Sequence, residues 1–363
     1  MNNLILHILL LFIGSLGFCY IIIPQIRGVV RYKRLMDAPN GRSSHIIPTP
    51  SLGGIAIYLA IIISFYFSHT FDDNNLIFGI TPGLSLLFIG GLKDDLVVLG
   101  PYAKLVLQIA AALFLIFHLQ FRVNSLHGFM GIESLSPWFS AVIVILIITS
   151  VINSMNLIDG IDGLAATLGI IMFAVFGVLF YVAEEMFLML TCVVMVGSLI
   201  AFLRYNLSVN HKIFMGDTGT FVIGFMLGIM AVSFLALDIE TLKKLPFRHE
   251  NLPFVLAAVL CIPLYDSIRI FIVRVVNKQN PFYADRNHIH HLLIDTFRIS
   301  HRRASFFIGV TGFLLMILFA FLAMRANQWY LLGLFIFVIL TSTFFFYFLS
   351  RRRKIYKKRK NSN

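Results

Sequence analysis

Charge is scarce in this chain. Only 13% of its 363 residues are Asp, Glu, Lys or Arg, against roughly 25% in an ordinary soluble domain, and so few charges cannot coat water-soluble domains of this size. Cysteine is scarcer still. Cys19, Cys192 and Cys261 each sit inside an apolar run, which excludes a disulfide framework and a CxxC metal pair. There is no Walker A loop, GxSxG, HExxH or GxGxxG, so P-loop NTP hydrolysis, serine hydrolysis, zinc proteolysis and dinucleotide binding have no motif behind them. Acids are outnumbered by bases, 17 to 29, for a net charge of +12. In a chain this apolar, such an excess reports membrane orientation, and nucleic acid is not an expected partner.

Hydrophobicity is what the chain has in abundance: 59% of residues are hydrophobic and the mean hydropathy is +0.89. Eleven apolar runs have the length needed to cross a bilayer as helices, at 2–24, 52–69, 76–92, 103–121, 137–153, 163–182, 186–203, 219–237, 252–274, 305–324 and 328–349. Continuous runs without strand alternation predict an all-α, polytopic integral membrane protein. The first run lacks a positive n-region and a cleavage site, and its basic cluster (Arg27, Arg31, Lys33, Arg34) follows it. It therefore reads as a retained helix and not a signal peptide. Threaded alternately, the runs place 24 of the 29 Lys and Arg residues on the side of the C-terminus. The positive-inside rule then makes the C-terminus cytoplasmic and the N-terminus external. Residues 1–350 read as one transmembrane catalytic domain and 351–363 as a basic cytoplasmic tail that anchors topology at anionic headgroups.

Polar chemistry gathers on that same face, in the loops 37–54, 90–108, 153–164, 214–220 and 280–291, which predicts a cleft open to the cytoplasm. Asp94 and Asp95 are adjacent at a helix end, so one carboxylate can meet a cation and the other a substrate proton, or both can simply end the helix. In a helix, Asp159 and Asp162 would share a face, as would Asn153 and Asn156. Such a row of amide and carboxylate edges suits a nucleobase or ribose. Asp217, flanked by small residues in MGDTGT, suits a hard cation such as Mg²⁺ or serves as an N-cap. Phe214 offers a stacking platform or packing. His288, His290 and His291, near Asp285, Arg286 and Lys278, suit phosphate gripping better than zinc, with a structural role as the third option. Asp266 lies inside an apolar run with Arg269 as its i+3 partner.

DAPNGRSSHIIPTPSLGG, GLKDDLVVLGPYAKLVLQ, NSMNLIDGIDGLA, FMGDTGTFVIGF and PFYADRNHIHHLLI, in that order over about 37–303, resemble the polyprenyl-phosphate N-acetylhexosamine-1-phosphate transferases of glycosyltransferase family 4. The resemblance implies an all-helical membrane enzyme that moves a sugar 1-phosphate from a UDP-sugar to undecaprenyl phosphate and releases UMP. It implies Mg²⁺, with Mn²⁺ as the substitute ion. It also implies Asp217 and Asp94 as metal ligands, Asp94, Asp95 and His290 as catalytic residues, and a substrate-binding set. That set comprises His45, Lys104, Asn153, Asn156, Asp159, Asp162, Phe214, Arg286, His288 and His291. The chain departs from several relatives in having Leu96, Val97 and Val98 after the acid pair, with no third acid, and Thr218 and Thr220 where serines are usual. The first loop lacks the lysine of the muramoyl-pentapeptide branch and the histidine loop is of the HIHH form. Both features point to the UDP-GlcNAc branch that initiates O-antigen, teichoic acid or similar polymers. The alternatives are the peptidoglycan transferase using UDP-MurNAc-pentapeptide and, from another class, a secondary transporter, which should carry midplane acids and repeated halves. Expected partners are the two substrates and membrane lipids, with a homodimer compatible.

Overall fold

A backbone in hydrocarbon must satisfy its own hydrogen bonds, and every apolar run of this chain does so as a helix. The computed structural model describes residues 2–37, 48–72, 75–279 and 287–361. The long helices are α1 (Asn2–Tyr32), α2 (Gly54–Ser68), α3 (Leu76–Leu96), α4 (Pro101–Phe117), α5 (Pro137–Ile158), α6 (Leu164–Val182), α7 (Met186–Asn206) and α8 (Gly216–Leu235). After the short α9 (Ile239–Leu242) come α10 (Leu252–Val259), α11 (Cys261–Val276), α12 (Ile289–Phe297), α13 (His301–Ala323) and α14 (Gln328–Asn361). A two-residue antiparallel ribbon, β1 (Met36–Asp37) with β2 (Thr49–Pro50), joins α1 to α2. Among the described residues nine helices are long and apolar enough to cross a membrane. The chain is an all-α, multi-pass membrane protein.

Two of the expected runs take other forms. Residues 252–274 form a broken span, α10 and α11 meeting at 72°. Pro263, the third residue of α11, has no N–H for the carbonyl of Val259, and the ladder breaks there. The run expected at 103–121 forms the 17-residue α4, about 25 Å at 1.5 Å per residue. At the other end of the molecule, α14 continues without a break past residue 350, and Arg353 reaches Asp295 of α12 at 2.7 Å.

The core is built around α8, whose residues from Thr218 to Leu235 are all buried by α2, α3, α5, α6 and α10. Small residues let the neighbours come close. A Cβ on Gly54 would lie 2.2 Å from the Cα of Gly219, and one on Gly91 would lie 2.6 Å from the Cα of Thr218. Elsewhere large apolar side chains such as Ile13, Phe313 and Phe337 face outward, as a lipid-facing surface requires.

Candidate active site

The site forms where the last turns of α3 and α5 meet the first turn of α8. Neighbouring residues on a helix point about 100° apart, and Asp94 and Asp95 accordingly have different partners. Asp95 accepts the backbone N–H of Asp217 at 2.7 Å and that of Thr218 at 3.0 Å, and the Thr218 hydroxyl at 2.5 Å. These amides belong to the first turn of α8 and have no partner within the helix, so a carboxylate stabilises them strongly. Room for it depends on Gly216, which takes a φ of +73° and whose absent Cβ would lie 2.4 Å from the Asp95 carboxylate.

Asp94 is buried and accepts the backbone N–H of Leu99 at 2.5 Å. Its second oxygen meets the Lys104 ammonium at 2.5 Å. The same ammonium lies 2.7 Å from Asp217, whose other oxygen accepts from the Asn156 amide. Asn156 also donates to the Thr220 hydroxyl at 2.9 Å. Asp94 and Asp217 thus share one positive charge, held by a lysine from the first turn of α4. Oxygen donors of this kind are what a hard divalent cation takes, one or two carboxylates with waters and substrate phosphate completing its shell. Lys104 is a stand-in for such a cation, so these residues fit Mg²⁺.

Beside this group opens a polar cleft of about 610 Å³, lined by Asn156, Asp159, Asp162, Phe214, Asp217 and His291 among others. Burial, with the nearby carboxylates of Asp162 and Asp95, pushes Asp159 up to about 8. Asp162 is also buried enough to be raised, but hydrogen bonds and charge from His301 and Lys212 hold it below its ordinary value; Lys212 lies 2.7 Å away and His301 3.4 Å. Lys212 also lies over the ring of Phe214, 5.1 Å from its centroid.

The expected row of two amides and two acids does not form. Helix α5 ends at Ile158 and residues 159–163 make a turn, because Gly163 takes a φ of +81° at the start of α6. Asn156 faces the cleft. Asn153 instead faces α4, in a reciprocal amide pair with Gln108 at 3.2 and 2.7 Å, and is absent from the cleft wall.

The three histidines separate as well. His291 lines the cleft. His290 lies behind it, 1% exposed, with neither ring nitrogen hydrogen-bonded and Nε2 packed against Gly160, where a Cβ would come within 2.4 Å. Burial, then the adjacent His291, hold its imidazole neutral, well below its ordinary value. His288 is buried against Asp266 at 2.9 Å. Among the described residues no three His, Cys, Asp or Glu side chains are grouped to hold a metal. His45, Asp285 and Arg286 lie outside the described residues.

Some residues that shape the site carry little signal in the sequence. Asn206, at the end of α7, accepts the N–H of Gly163 at 2.6 Å and donates to the carbonyl of Ile213 at 3.0 Å. It ties the 159–163 turn to the strand of chain entering α8. A lone amide ending an apolar run at the motif-rich end was the available hint. Thr218 and Lys212 likewise act through partners distant in sequence.

The glycosyl transferase family 4 model matches residues 77–235, the segment that supplies Asp94, Asp95, Lys104, Asn156, Asp159, Asp162 and Asp217. The chain is similar over 345 residues, at 28% identity, to a probable undecaprenyl-phosphate N-acetylglucosaminyl 1-phosphate transferase of Bacillus subtilis (strain 168), covering 94% of this chain and 91% of the relative. It is 28% identical to the undecaprenyl-phosphate alpha-N-acetylglucosaminyl 1-phosphate transferase of Yersinia pestis (79% of this chain, 76% of the relative). The Escherichia coli (strain K12) protein of that name is also 28% identical (74% and 71%). The match runs through the acids of the cleft, and over that segment the chain is similar to glycosyl transferase family 4.

Proposed function

We propose that this protein transfers GlcNAc 1-phosphate from UDP-GlcNAc to undecaprenyl phosphate, releasing UMP and forming the lipid-diphosphate sugar that starts a cell-envelope polysaccharide such as O-antigen or teichoic acid. The named activities of its relatives support the sugar and the lipid acceptor and do not favour the peptidoglycan branch. A transporter's midplane acids are missing too: apart from Asp266, paired with Arg269 at 2.8 Å, the motif acids among the described residues stand at one end of the bundle. The observation that carries the reading is the Lys104 ammonium held between Asp94 and Asp217 beside a polar cleft.

In the reaction a phosphate oxygen of the lipid forms a bond to the sugar-bearing phosphorus of the UDP-sugar. The bond from that phosphorus to the bridging oxygen breaks, and its electron pair leaves with UMP. Asp94 and Asp217 would hold Mg²⁺, or Mn²⁺ in its place, which supplies charge neutralisation of the diphosphate when bound. Lys104, displaced from its carboxylates, has the reach and charge to take a phosphate oxygen. Asn156 and Thr220 fix the orientation of Asp217, and Asp95 fixes its backbone. Asp159, Asp162 and Phe214 form the wall suited to the uridine, and His291 the wall suited to phosphate. We place the protein in the cytoplasmic membrane with this cleft facing the cytoplasm, the N-terminus external and the C-terminus cytoplasmic.

Detergent-solubilised protein given undecaprenyl phosphate, Mg²⁺ and a panel of UDP-N-acetylhexosamines should release UMP, fastest from UDP-GlcNAc. Asp217→Asn should abolish release while leaving the protein folded. No UMP from any donor with the unaltered protein would sink the reading.

A further inference from the structure

The buried end of the histidine helix is tied to an acid inside a membrane span. Asp266, in the second turn of α11, is 1% exposed. One of its oxygens accepts from the Arg269 guanidinium at 2.8 Å and from the backbone N–H of Ile289 at 3.0 Å; the other lies 2.9 Å from Nδ1 of His288. Arg269 in turn donates to the carbonyl of Asn287 at 2.6 Å and lies over the ring of Phe346 on α14, 5.4 Å from its centroid. Buried ion pairs of this kind contribute little net stability compared with well-packed apolar residues, and acids within membrane spans are rare outside functional settings. What Asp266 adds beyond the pair is a fixed partner for His288 and for the first amide of α12.

The chemistry of that contact is directional. An ionised carboxylate can only accept, so Nδ1 of His288 must carry the proton and donate it, which leaves Nε2 as the acceptor nitrogen of the neutral ring. The His288 ring stacks on His290 at 5.7 Å and 8°, and His290 meets His291 at 4.3 Å. His291 lines the cleft. The ring plane set at Asp266 is therefore passed through packed imidazoles to the cleft wall, and the N-terminal turn that carries all three is seated by the same carboxylate. Carboxylates that orient a functional histidine through its other nitrogen are a recurrent device, in metal sites and in hydrolase triads alike.

We infer that Asp266 is a positioning residue for the histidine cluster: it sets the tautomer and ring plane of His288 and seats the turn of α12 that presents His291 to the substrate phosphates. This rests on the transferase reading above. Asp266→Asn keeps the shape, but one amide oxygen cannot accept from all three donors, and its NH₂ group faces the Nδ1 proton of His288. The rate of UMP release should fall about 10- to 100-fold, the range for loss of such orienting partners, mainly in kcat with KM for the UDP-sugar little changed. A merely structural ion pair makes a different prediction, tested by Asp266→Asn combined with Arg269→Gln, which removes both buried charges and also serves where the single variant does not fold. If Asp266 positions His288, this pair folds and stays slow; recovery to the unaltered rate would overturn the inference. A double-mutant cycle gives the second arm. In a His288→Gln background, adding Asp266→Asn should cause a smaller further loss of kcat than it does in the unaltered protein, since only the seating of the Ile289 amide remains to be lost, whereas a fully additive loss would refute the coupling. Absence of UMP from the unaltered protein would instead count against the transferase reading itself, so the two failures are separable.

Discussion

At Lys104 one ammonium holds two carboxylates, Asp94 at 2.5 Å and Asp217 at 2.7 Å. Lys104→Met would leave those acids facing each other. The loss of stability should be smaller than the ~3–5 kcal/mol of a fully buried broken pair, because the lysine side chain is 23% exposed. Mg²⁺ should restore part of it: the thermal midpoint of the variant should rise more with added Mg²⁺ than that of the unaltered protein, and equal responses would refute the stand-in role. Asp159 bears on pH. Its folded-state value of about 8 lies above the ~3.9 of an unfolded chain, so the folded protein binds more protons between those limits and stability falls as pH rises through them. Asp159→Asn should flatten that fall, measured as unfolding midpoints at pH 5, 7 and 9. Asp94 and Asp217 were legible in the sequence because an acid at a polar loop in so apolar a chain stands out. The part played by Asp95 was not, since it depends on an amide turn 122 residues away.

Among the elements, the packing of α3 on α8 decides whether that turn can be reached. A Cβ on Gly91 would fall 2.6 Å from the Cα of Thr218 and 2.7 Å from the carbonyl oxygen of Asp217, both backbone atoms that cannot rotate away. Gly91→Ala should push the helices apart, destabilise the protein by about 1–3 kcal/mol, the usual range for overpacking, and loosen the grip of Asp95 on α8. Activity should fall further than the folded fraction, as compared by UMP release per folded molecule from size-exclusion peaks; a proportional fall would argue against this coupling. The existence of the helices was readable from apolar length alone. The break at α10 and α11 and the turn at 159–163 were not, because both arise from local backbone effects at Pro263 and Gly163 inside otherwise continuous patterns.

For the whole molecule, contacts at the two ends settle how the helices run. Lys104 opens α4 beside the site and Asn156 closes α5 there, so α4 must carry the chain to the opposite end despite its 17 residues. The broken pair crosses too: Asn251, just before α10, bonds the carbonyl of Ala323 at 3.0 Å, at the far end of α13, whereas Asp266 of α11 reaches the histidine helix. His301 and Ser305 tie the start of α13 to Asp162 beside the cleft, and Arg353 of α14 returns to α12. Among the described residues nine helices are long and apolar enough to cross a membrane, ten if the bent pair is one span; with the shorter α4 as a further crossing the count we propose is eleven, which would put the N-terminus and the C-terminus on opposite sides. On that count 24 of the 29 basic residues fall with the C-terminus, the side that the positive-inside rule would make cytoplasmic. A fluorescent protein that matures only in the cytoplasm should light up when fused after Asn363, and a periplasm-active phosphatase should work when fused before Met1 or inserted near Ser125 in the loop after α4. Phosphatase activity from the C-terminal fusion would turn the molecule over and move the cleft away from the cytoplasmic nucleotide pool. The proposed relative sides rest on the number of passes and the proposed absolute one on charge, so such a result would overturn the orientation without disturbing the fold.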